Sequence, residues 1–378
     1  MGRNSGSNGT VVVTGPGSEL NIGNGSNLTV GDFGTGTLHI LNGGVVTSNN
    51  GNLGAGDGND YNGVFGRGMG TAWVDGAGSQ WNMTGGLWVG DNGEGNLSIS
   101  NGGKVSTNNN VTIGNGATGI GAVVVTGMGS TLSAGSVLQV GGSGNGALTI
   151  SDGGMVSVNG GNGKAELGKR NTSNSHINIG AKSGDSAVAP GTLAAGLIEF
   201  WRGSAGNPVT VTFNHTDLTG GYEFAASLDS RQTPADSHLI LHENGHTNLN
   251  GDASTFTGFA KIDGGILAIN HDFGGDVNVN DGGTLGGEGS IFGNVIVNSG
   301  GTIAPGNSVG TITVSNLTLE DGSLFEVEID GFGTPDLVTV TSTFTFNGGT
   351  VTVSGPILVD QTYTILEASS VPAIPAAA

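Results

Sequence analysis

Residues His242–His246 of this 378-residue chain read H-E-N-G-H, which matches the zinc-protease motif H-E-x-x-H. That chemistry needs a helix, because a helix brings both histidines onto one face about one turn apart, with the glutamate as general base. Here an Asn-Gly pair interrupts the motif and leucines alternate around it. A strand would separate the histidines by roughly 13 Å, too far to share one zinc ion. We therefore predict surface-loop histidines, which together with His238 would bind metal only adventitiously.

A second motif, G-x-S-x-G, occurs at Gly306–Gly310. A nucleophile elbow of this kind requires a strand, a turn and a helix, followed by an acidic residue and a histidine. No histidine follows His271, and the sequence around the motif has no helical pattern. We interpret it as a Pro-Gly-Asn corner between two strands.

Acidic residues raise two further questions. The segment Gly54–Asp60 resembles one imperfect copy of a calcium-binding nonapeptide, whose affinity normally comes from stacked repeats. Weak calcium binding near Asp57 to Asp60 stays open, and we expect residues 54–70 to protrude as a polar loop.

A polysaccharide-cleaving site would need carboxylates in one cleft. The candidates each sit beside a turn-forming Gly pair or similar corner, with Lys261 as the only basic neighbour: Asp263, Asp272, Asp276, Asp281 and Glu288.

The elements that carry these motifs come from an internal repeat. Three segments align without gaps, VVVTGPGSELNI from Val11, AWVDGAGSQWNM from Ala72 and VVVTGMGSTLSA from Val123. Each is followed by a block that begins L-x-V-G, and these blocks start at Leu28, Leu87 and Leu138. A period near 50 residues with sub-repeats of about 20 is typical of a solenoid.

Within a block the apolar residues alternate as they do in strands. Leu97 and Ile99 can face one side while the serines between them face the other. Asn101–Gly103 supplies residues that tolerate a positive φ at a sharp corner. Strand and corner in alternation predict an all-β fold, a parallel β-helix, right-handed by the general rule for parallel crossovers. We expect Trp81 and Trp88 to form a stacked pair at an edge of its core.

Composition excludes several classes of protein. Glycine accounts for 77 of 378 residues without a strict Gly-X-Y period, and charged residues for only 11%, which argues against collagen and against a highly charged disordered chain. The net charge of −20 disfavours nucleic acid and anionic membranes as partners. Lys164, Lys169 and Arg170 form a small basic group that we interpret as a solvated loop. The chain has no cysteine, and it has no apolar run long enough to insert into a membrane.

These blocks resemble the repeats in passenger regions of type V secretion autotransporters, with their L-x-V-G…G-x-L-x-I-S-x-G-G and G-x-G-S patterns. Residues 196–228 are similar to the segment that precedes the autotransporter-associated strand repeat, and residues 244–270 to that repeat itself. Residues 293–330 resemble the junction or autochaperone-like region at the end of such passengers. The resemblance implies export through the bacterial outer membrane to the cell surface, with the protein's own outer-membrane barrel as a partner. The sequence contains no such barrel.

The sequence divides into five predicted segments. They are three solenoid repeats of about 50 residues (1–175), irregular coils (176–240), strand-repeat coils (241–292), the autochaperone-like end (293–365) and the start of a linker (366–378). The first ten residues lack the apolar stretch of a signal peptide. We therefore expect this chain to be an internal portion of a longer protein.

The function that we predict is structural and adhesive rather than enzymatic. A rigid acidic stalk would present its lateral surface to a host cell, to a matrix component or to another copy of itself. The predicted contact sites are residues 54–70 and 200–236, where Trp201, Arg202 and Arg231 stand out. One alternative is a scaffold for an effector domain that precedes Met1, and a remoter one is a β-helical enzyme acting on polysaccharide. We expect no catalytic residue, cofactor or metal.

Overall fold

A computed structural model describes residues 1–23, 25–59, 62–170, 174–202, 208–231, 237–358 and 360–370. Over these ranges the chain forms 39 strands and one short 3-10 helix, Asn159–Gly161. The chain divides into two compact units, residues 1–214 with 231–238 and residues 215–230 with 239–378.

The first unit is built from three parallel sheets around one core. The strands of its first sheet are β1 (Asn8–Thr14), β4 (Thr35–Leu41), β9 (Met69–Asp75), β12 (Glu94–Ser100), β15 (Ile120–Thr126), β18 (Asn145–Ser151), β21 (Ser175–Gly180) and β24 (Val209–Asn214). Those of the second sheet are β2 (Glu19–Asn21), β5 (Val45–Ser48), β10 (Gln80–Met83), β13 (Lys104–Thr107), β16 (Thr131–Ala134), β19 (Met155–Val158) and β22 (Thr192–Ala194). Those of the third are β3 (Leu28–Val30), β6 (Gly51–Leu53), β11 (Leu87–Val89), β14 (Val111–Ile113), β17 (Val137–Val140), β20 (Lys164–Leu167) and β23 (Leu197–Phe200). One coil adds one strand to each sheet, which is a parallel β-helix.

The core of this unit consists of columns of buried side chains, in which the residue of one coil packs on its register partner in the next coil. On the third sheet one such column is fully buried, and its members are Val30, Leu53, Val89, Ile113, Val140, Leu167 and Phe200. On the first sheet Leu97, Val123 and Leu148 are register partners 26 and 25 residues apart. Each repeat of about 50 residues therefore consists of two coils. A single coil of 25 or 26 residues is a little longer than the predicted sub-repeat of about 20.

The corners follow the sequence prediction. Asn101 and Gly102 adopt positive φ angles of 52° and 85°, as expected for an Asn-Gly-Gly corner. Residues 54–70, predicted to protrude as a polar loop, contain two short strands, and Gly56, Gly66 and Gly68 within this range are buried. The strands form an antiparallel hairpin of β7 (Asp57–Asn59) and β8 (Phe65–Arg67), which lengthens the first repeat.

The second unit has two long parallel sheets. The strands of one are β27 (His238–Asn244), β29 (Phe259–Ile262), β31 (Asp276–Val279), β33 (Ser290–Val297), β35 (Thr311–Leu319), β37 (Leu337–Phe346) and β39 (Leu366–Ser370). Those of the other are β25 (Tyr222–Phe224), β28 (His246–Leu249), β30 (Gly265–Ile269), β32 (Gly283–Gly286), β34 (Thr302–Ile303), β36 (Leu324–Glu328) and β38 (Thr350–Ser354). A short strand, β26 (Ser227–Ser230), also belongs to this unit. Single bridges join Ala253, Phe273 and Ile291.

Two predictions from the sequence are wrong, one about the linker at 366–378 and one about the pair of Trp81 and Trp88. Residues 366–370 are not a linker, because β39 pairs with β37 through Leu366 and Val338; residues 371–378 lie outside the described ranges. Trp81 and Trp88 are not a stacked pair on neighbouring coils. They lie on consecutive strands of one coil, where Trp81 is buried and donates to Ser48 Oγ at 3.2 Å while Trp88 is half-buried.

Candidate functional site

The predicted contact region 200–236 is anchored by a buried carboxylate. Glu199, on β23, has only 1% of its side chain exposed. Arg231 donates two hydrogen bonds to Glu199 Oε1, from Nε at 3.0 Å and from Nη2 at 2.6 Å. Arg231 is therefore engaged in holding its own segment to the unit. Residues 203–207 and 232–236 of the predicted region lie outside the described ranges.

A second carboxylate, Glu166, is the register partner of Glu199 on the neighbouring strand. Lys164 Nζ lies 3.3 Å from Glu166 Oε1 and 3.2 Å from Glu199 Oε2, so it bridges the pair. Lys169 Nζ lies 2.6 Å from Glu166 Oε2, and Gln139 Nε2 donates to the same oxygen at 2.7 Å. The prediction of a solvated basic loop is thus wrong for both lysines, because each turns back onto a buried carboxylate.

All four carboxylate oxygens of Glu166 and Glu199 have a cationic partner. These partners favour the charged form of the buried carboxylates. Burial acts to raise the pKa of Glu199, but the hydrogen bonds from Arg231 and Lys164 outweigh it and hold the pKa below its ordinary value. Burial acts to lower the pKa of Lys164, and its contacts with the two glutamates raise it overall. A glycosidase needs one protonated carboxyl group as acid. The pair is arranged instead as a structural ion-pair network.

Trp201 and Arg202 come two and three residues after Glu199 in the sequence. The Trp201 ring is half-buried, with Lys169 Nζ 5.6 Å from its centroid, within the range of a cation–π contact. Trp201 Nε1 is buried and has no acceptor among the described residues. The backbone N–H of Arg202 donates to Gly168 O at 2.8 Å.

The H-E-x-x-H segment lies neither on a helix nor on one continuous strand. The chain turns at Gly245, whose φ is 95°, so His242 ends up on β27 and His246 begins β28. The prediction of a surface-loop histidine is wrong for His242, which is fully buried, and His238 on the same strand is fully buried as well. The reason is strand alternation, since the even-numbered residues of β27 from His238 to His242 face the interior.

A directed chain of hydrogen bonds satisfies the buried histidines of the second unit. The Asp217 N–H donates to His215 Nδ1 at 3.3 Å, so His215 carries its proton on Nε2 and donates to Thr247 Oγ1 at 2.8 Å. His242 Nδ1 donates to the Gly264 carbonyl at 2.8 Å. Its Nε2 therefore accepts from the Thr247 hydroxyl at 3.2 Å. The hydrogen-bond network assigns one neutral tautomer to each ring.

Burial is the main cause of the low basicity of these rings. It lowers the pKa of His215 to about 4, with the charge of Asp217 opposing the shift. It lowers the pKa of His242 to about 4 as well, against the hydrogen bond to Gly264. Over the described residues, no three His, Cys, Asp or Glu side chains come together in an arrangement that could hold a metal ion. Asp60, part of the calcium question, lies outside the described ranges, and that question stays open.

The G-x-S-x-G segment forms the expected corner between β34 and β35, with Ser308 exposed and Gly306 at a φ of 86°. It lines an open groove of about 430 Å³ together with His246, Glu328 and Asp336. Asp336 is buried and accepts the backbone N–H groups of Gly310 at 2.8 Å and Glu328 at 2.7 Å. Its carboxylate therefore secures the backbone that shapes the groove.

Two of the carboxylates considered for a polysaccharide-cleaving site, Asp263 and Asp276, accept hydrogen bonds from nearby side chains and backbone. Asp263 accepts from Lys261 Nζ and from Asn280 Nδ2, both at 2.6 Å. Asp276 accepts from the Asn294 backbone at 2.6 Å and from its side chain at 3.0 Å. Both asparagines belong to neighbouring coils, so these acidic groups connect successive corners.

The outer face of the first sheet in the first unit carries four exposed apolar side chains, and this face is here called the Trp73 face. Its members with exposed fractions are Val12 (54%), Met69 (47%), Trp73 (37%) and Ile120 (42%). They lie on β1, β9 and β15 in two columns four residues apart along the strands. Val12 and Trp73 belong to one column, with His39 between them, and Met69 and Ile120 belong to the other, with Glu94 between them.

One column of this face has a specific geometry. Val12, His39 and Trp73 are register partners on three successive strands. The His39 and Trp73 rings stack with centroids 4.7 Å apart and planes 6° apart. The next residue in the column is Ser98, so the stack stops there. A groove of about 320 Å³ opens at that point, and its lining residues are Thr71, Trp73, Asn96, Leu97, Ser98, Ala122 and Val124.

The Trp73 face is not among the contact sites predicted from the sequence, although the sequence carries a signal for it. In the aligned segments Trp73 takes the position of Val12 and Val124, between two residues that face the core, Ala72 and Val74 in its own strand. Strand alternation alone therefore places the ring outside.

No family model matches the chain. It is 32% identical over 186 residues to the uncharacterized lipoprotein YdeK of Escherichia coli K12, an alignment that covers 48% of this chain and 13% of that protein. It is 29% identical over 238 residues to the uncharacterized protein YuaQ of the same strain, covering 60% and 15%. The chain thus spans less than a sixth of the length of these curated relatives.

A solved structure of a TibA 55–350 fragment, hyper-glycosylated by TibC, aligns over 96% of this chain and 100% of that fragment, with 15% identity. The TM-score is 0.30, which is too low to establish a common fold. Among the residues described above, no helix has the length and apolar character needed to cross a bilayer.

Proposed function

We propose that this chain is part of an exported surface protein that binds a partner at a host cell or in an extracellular matrix, through the side of its β-helix and without catalysis. The observation that carries the proposal is the Trp73 face. Four large apolar side chains stand exposed on one face of a regular sheet, on strands two coils apart between β1 and β15.

Other features support the same proposal. The repeats resemble autotransporter passengers, and one relative bears the name lipoprotein, which agrees with export to the cell surface. The two residue clusters that could most easily be taken for catalytic groups, the paired glutamates and the buried histidines, are saturated by partners within the protein. The hairpin of β7 and β8 is tied to the corner that precedes β15, because Arg67 donates to the Thr118 carbonyl two residues before that strand.

The test is binding of the purified chain to epithelial cells, to wells coated with matrix proteins and to immobilised copies of itself. The variant replaces all four members of the Trp73 face by threonine, which keeps strand propensity. The matched control replaces three apolar residues that are more exposed but lie elsewhere, Met128, Leu218 and Phe332. We expect saturable binding to cells or matrix that falls about tenfold or more in the first variant and is unchanged in the control. Equal binding by both, or binding only to the chain itself, would contradict the proposal.

A further inference from the structure

The groove beside Trp73 lies where a third ring would continue the stack of the His39 and Trp73 rings. One face of the Trp73 ring is covered by His39 at 4.7 Å. The position that would cover the other face belongs to Ser98, whose side chain is too small to do so. Neighbouring strands lie about 4.8 Å apart, so the missing layer has the thickness of one stacked ring. A flat ligand with an apolar face fits this space.

The polar groups of the groove are neutral and available. Thr71, Asn96 and Ser98 line it and make no side-chain hydrogen bond to another described residue. Together they offer two hydroxyl groups and one amide, which can both donate and accept. Its volume of about 320 Å³ lies at the small end of the range for ligand sites. The pocket is therefore suited to a small ligand with several hydroxyl groups around a flat apolar surface.

Charge narrows the ligand class further. None of the groove's lining residues is charged, and the chain as a whole carries −20. An anionic ligand would meet this field without a cation to compensate it. A neutral ligand has no such cost.

We infer that the groove between Trp73 and Val124 binds a neutral pyranose sugar. The C–H face of the sugar stacks on the free face of the indole ring, where the ring's electron density attracts polarised C–H groups. Its hydroxyl groups bond to Asn96, Ser98 and Thr71. This inference rests on the proposed function, because it names the chemistry that the Trp73 face recognises on its partner.

The experiment titrates the purified 378-residue chain with methyl glycosides of glucose, galactose, mannose and N-acetylglucosamine, followed by saturation-transfer NMR and tryptophan fluorescence. Trp73→Ala removes the stacking surface. Ser98→Tyr leaves the Trp73 stacking surface in place but fills the slot with a ring, at the loss of one of the three polar groups, and it adds an aromatic pair that keeps the strand stable. Trp88→Phe is the control, since that half-buried tryptophan lies on the third sheet.

We expect at least one glycoside to bind the wild type and the Trp88→Phe control alike, with about tenfold weaker binding in Trp73→Ala and none in Ser98→Tyr. Binding that survives both groove variants, or no binding of any glycoside by the wild type, overturns the inference.

The same variants separate this inference from the proposed function. If no glycoside binds but Trp73→Ala and Ser98→Tyr lose adhesion to cells, the sugar inference fails while the proposed function stands. If a glycoside binds in the groove but adhesion is unaffected, the inference stands and the Trp73 face is not the adhesive surface.

Discussion

His215 and His242 are joined through one hydroxyl group. Their ring centroids lie 6.2 Å apart, and Thr247 Oγ1 stands 2.8 Å from one Nε2 and 3.2 Å from the other. A hydroxyl group has a single proton, so it can donate to only one of the rings and must accept from the other. The connection therefore exists only while both histidines are neutral.

Acidification should destabilise the second unit. The pKa of His215 and of His242 is lowered to about 4 in the folded chain, against about 6.5 when unfolded. The unfolded state binds more protons between these values, so the stabilisation is complete above about pH 6.5 and falls as the pH drops towards 4. We expect a loss of about 2 kcal/mol per histidine at pH 5 relative to pH 7. Hydrogen exchange of peptides covering 238–249, followed by mass spectrometry, measures it.

His271 serves as the control for this pH effect, because its side chain is 53% exposed. His271→Gln should keep the full pH dependence, whereas His242→Gln should lose about half of it. Protection of 238–249 that does not change between pH 7 and pH 5 would show that these rings do not control the stability of the unit.

Thr247→Val should lower the free energy of unfolding by about 1–3 kcal/mol. The two side chains are nearly equal in shape, so the variant leaves two buried imidazole nitrogens without a partner and opens no cavity. Thr284→Val is the matched control on β32, the next strand but one of the same sheet, where the side chain is half-buried at the groove. Urea unfolding of both variants gives the comparison, and equal midpoints would refute the shared-hydroxyl description.

Arg231→Met should cost about 2 kcal/mol, because it removes two charge-assisted hydrogen bonds from a buried carboxylate. The cost stays below that of a fully unpaired charge, since Lys164 still holds Glu199. Lys261→Met removes a pair with Asp263 in which both side chains keep partial contact with solvent, and it should cost less than about 1 kcal/mol. Thermal unfolding that ranks the two variants in the opposite order would contradict this assignment.

Gly90→Ala should be much more damaging than Gly17→Ala. Both glycines have positive φ angles, 70° and 80°. A methyl group at Gly90 would collide with the Ile120 carbonyl of the next coil, while one at Gly17 would meet nothing within 4 Å. We expect about 1 kcal/mol for Gly17→Ala from strain alone and 3 kcal/mol or more for Gly90→Ala. Similar unfolding midpoints would mean that neighbouring coils are less tightly stacked at Gly90.

The features that the sequence predicts well are local ones. An Asn-Gly-Gly corner such as Asn101–Gly103 is decided by the φ preferences of its own residues, and alternation decides which side of β12 faces the core. The buried histidines were misassigned because polarity suggested the surface, whereas Thr247 and the Gly264 carbonyl satisfy His242 within the fold. Glu199 and Arg231 are separated by 32 residues, and both lie in the irregular coils 176–240, where no repeat pattern indicates which residues are neighbours.

The columns of the first unit also bear on how such a gene can change. Leu38, Ala72, Leu97, Val123 and Leu148 follow one another at one position of the first sheet, each on a successive coil. Unequal recombination between the DNA of two 51-residue repeats would insert or delete two complete coils and leave the junction with the same apolar neighbours. Length is thus a property that natural selection can adjust in whole steps, without any new core having to evolve.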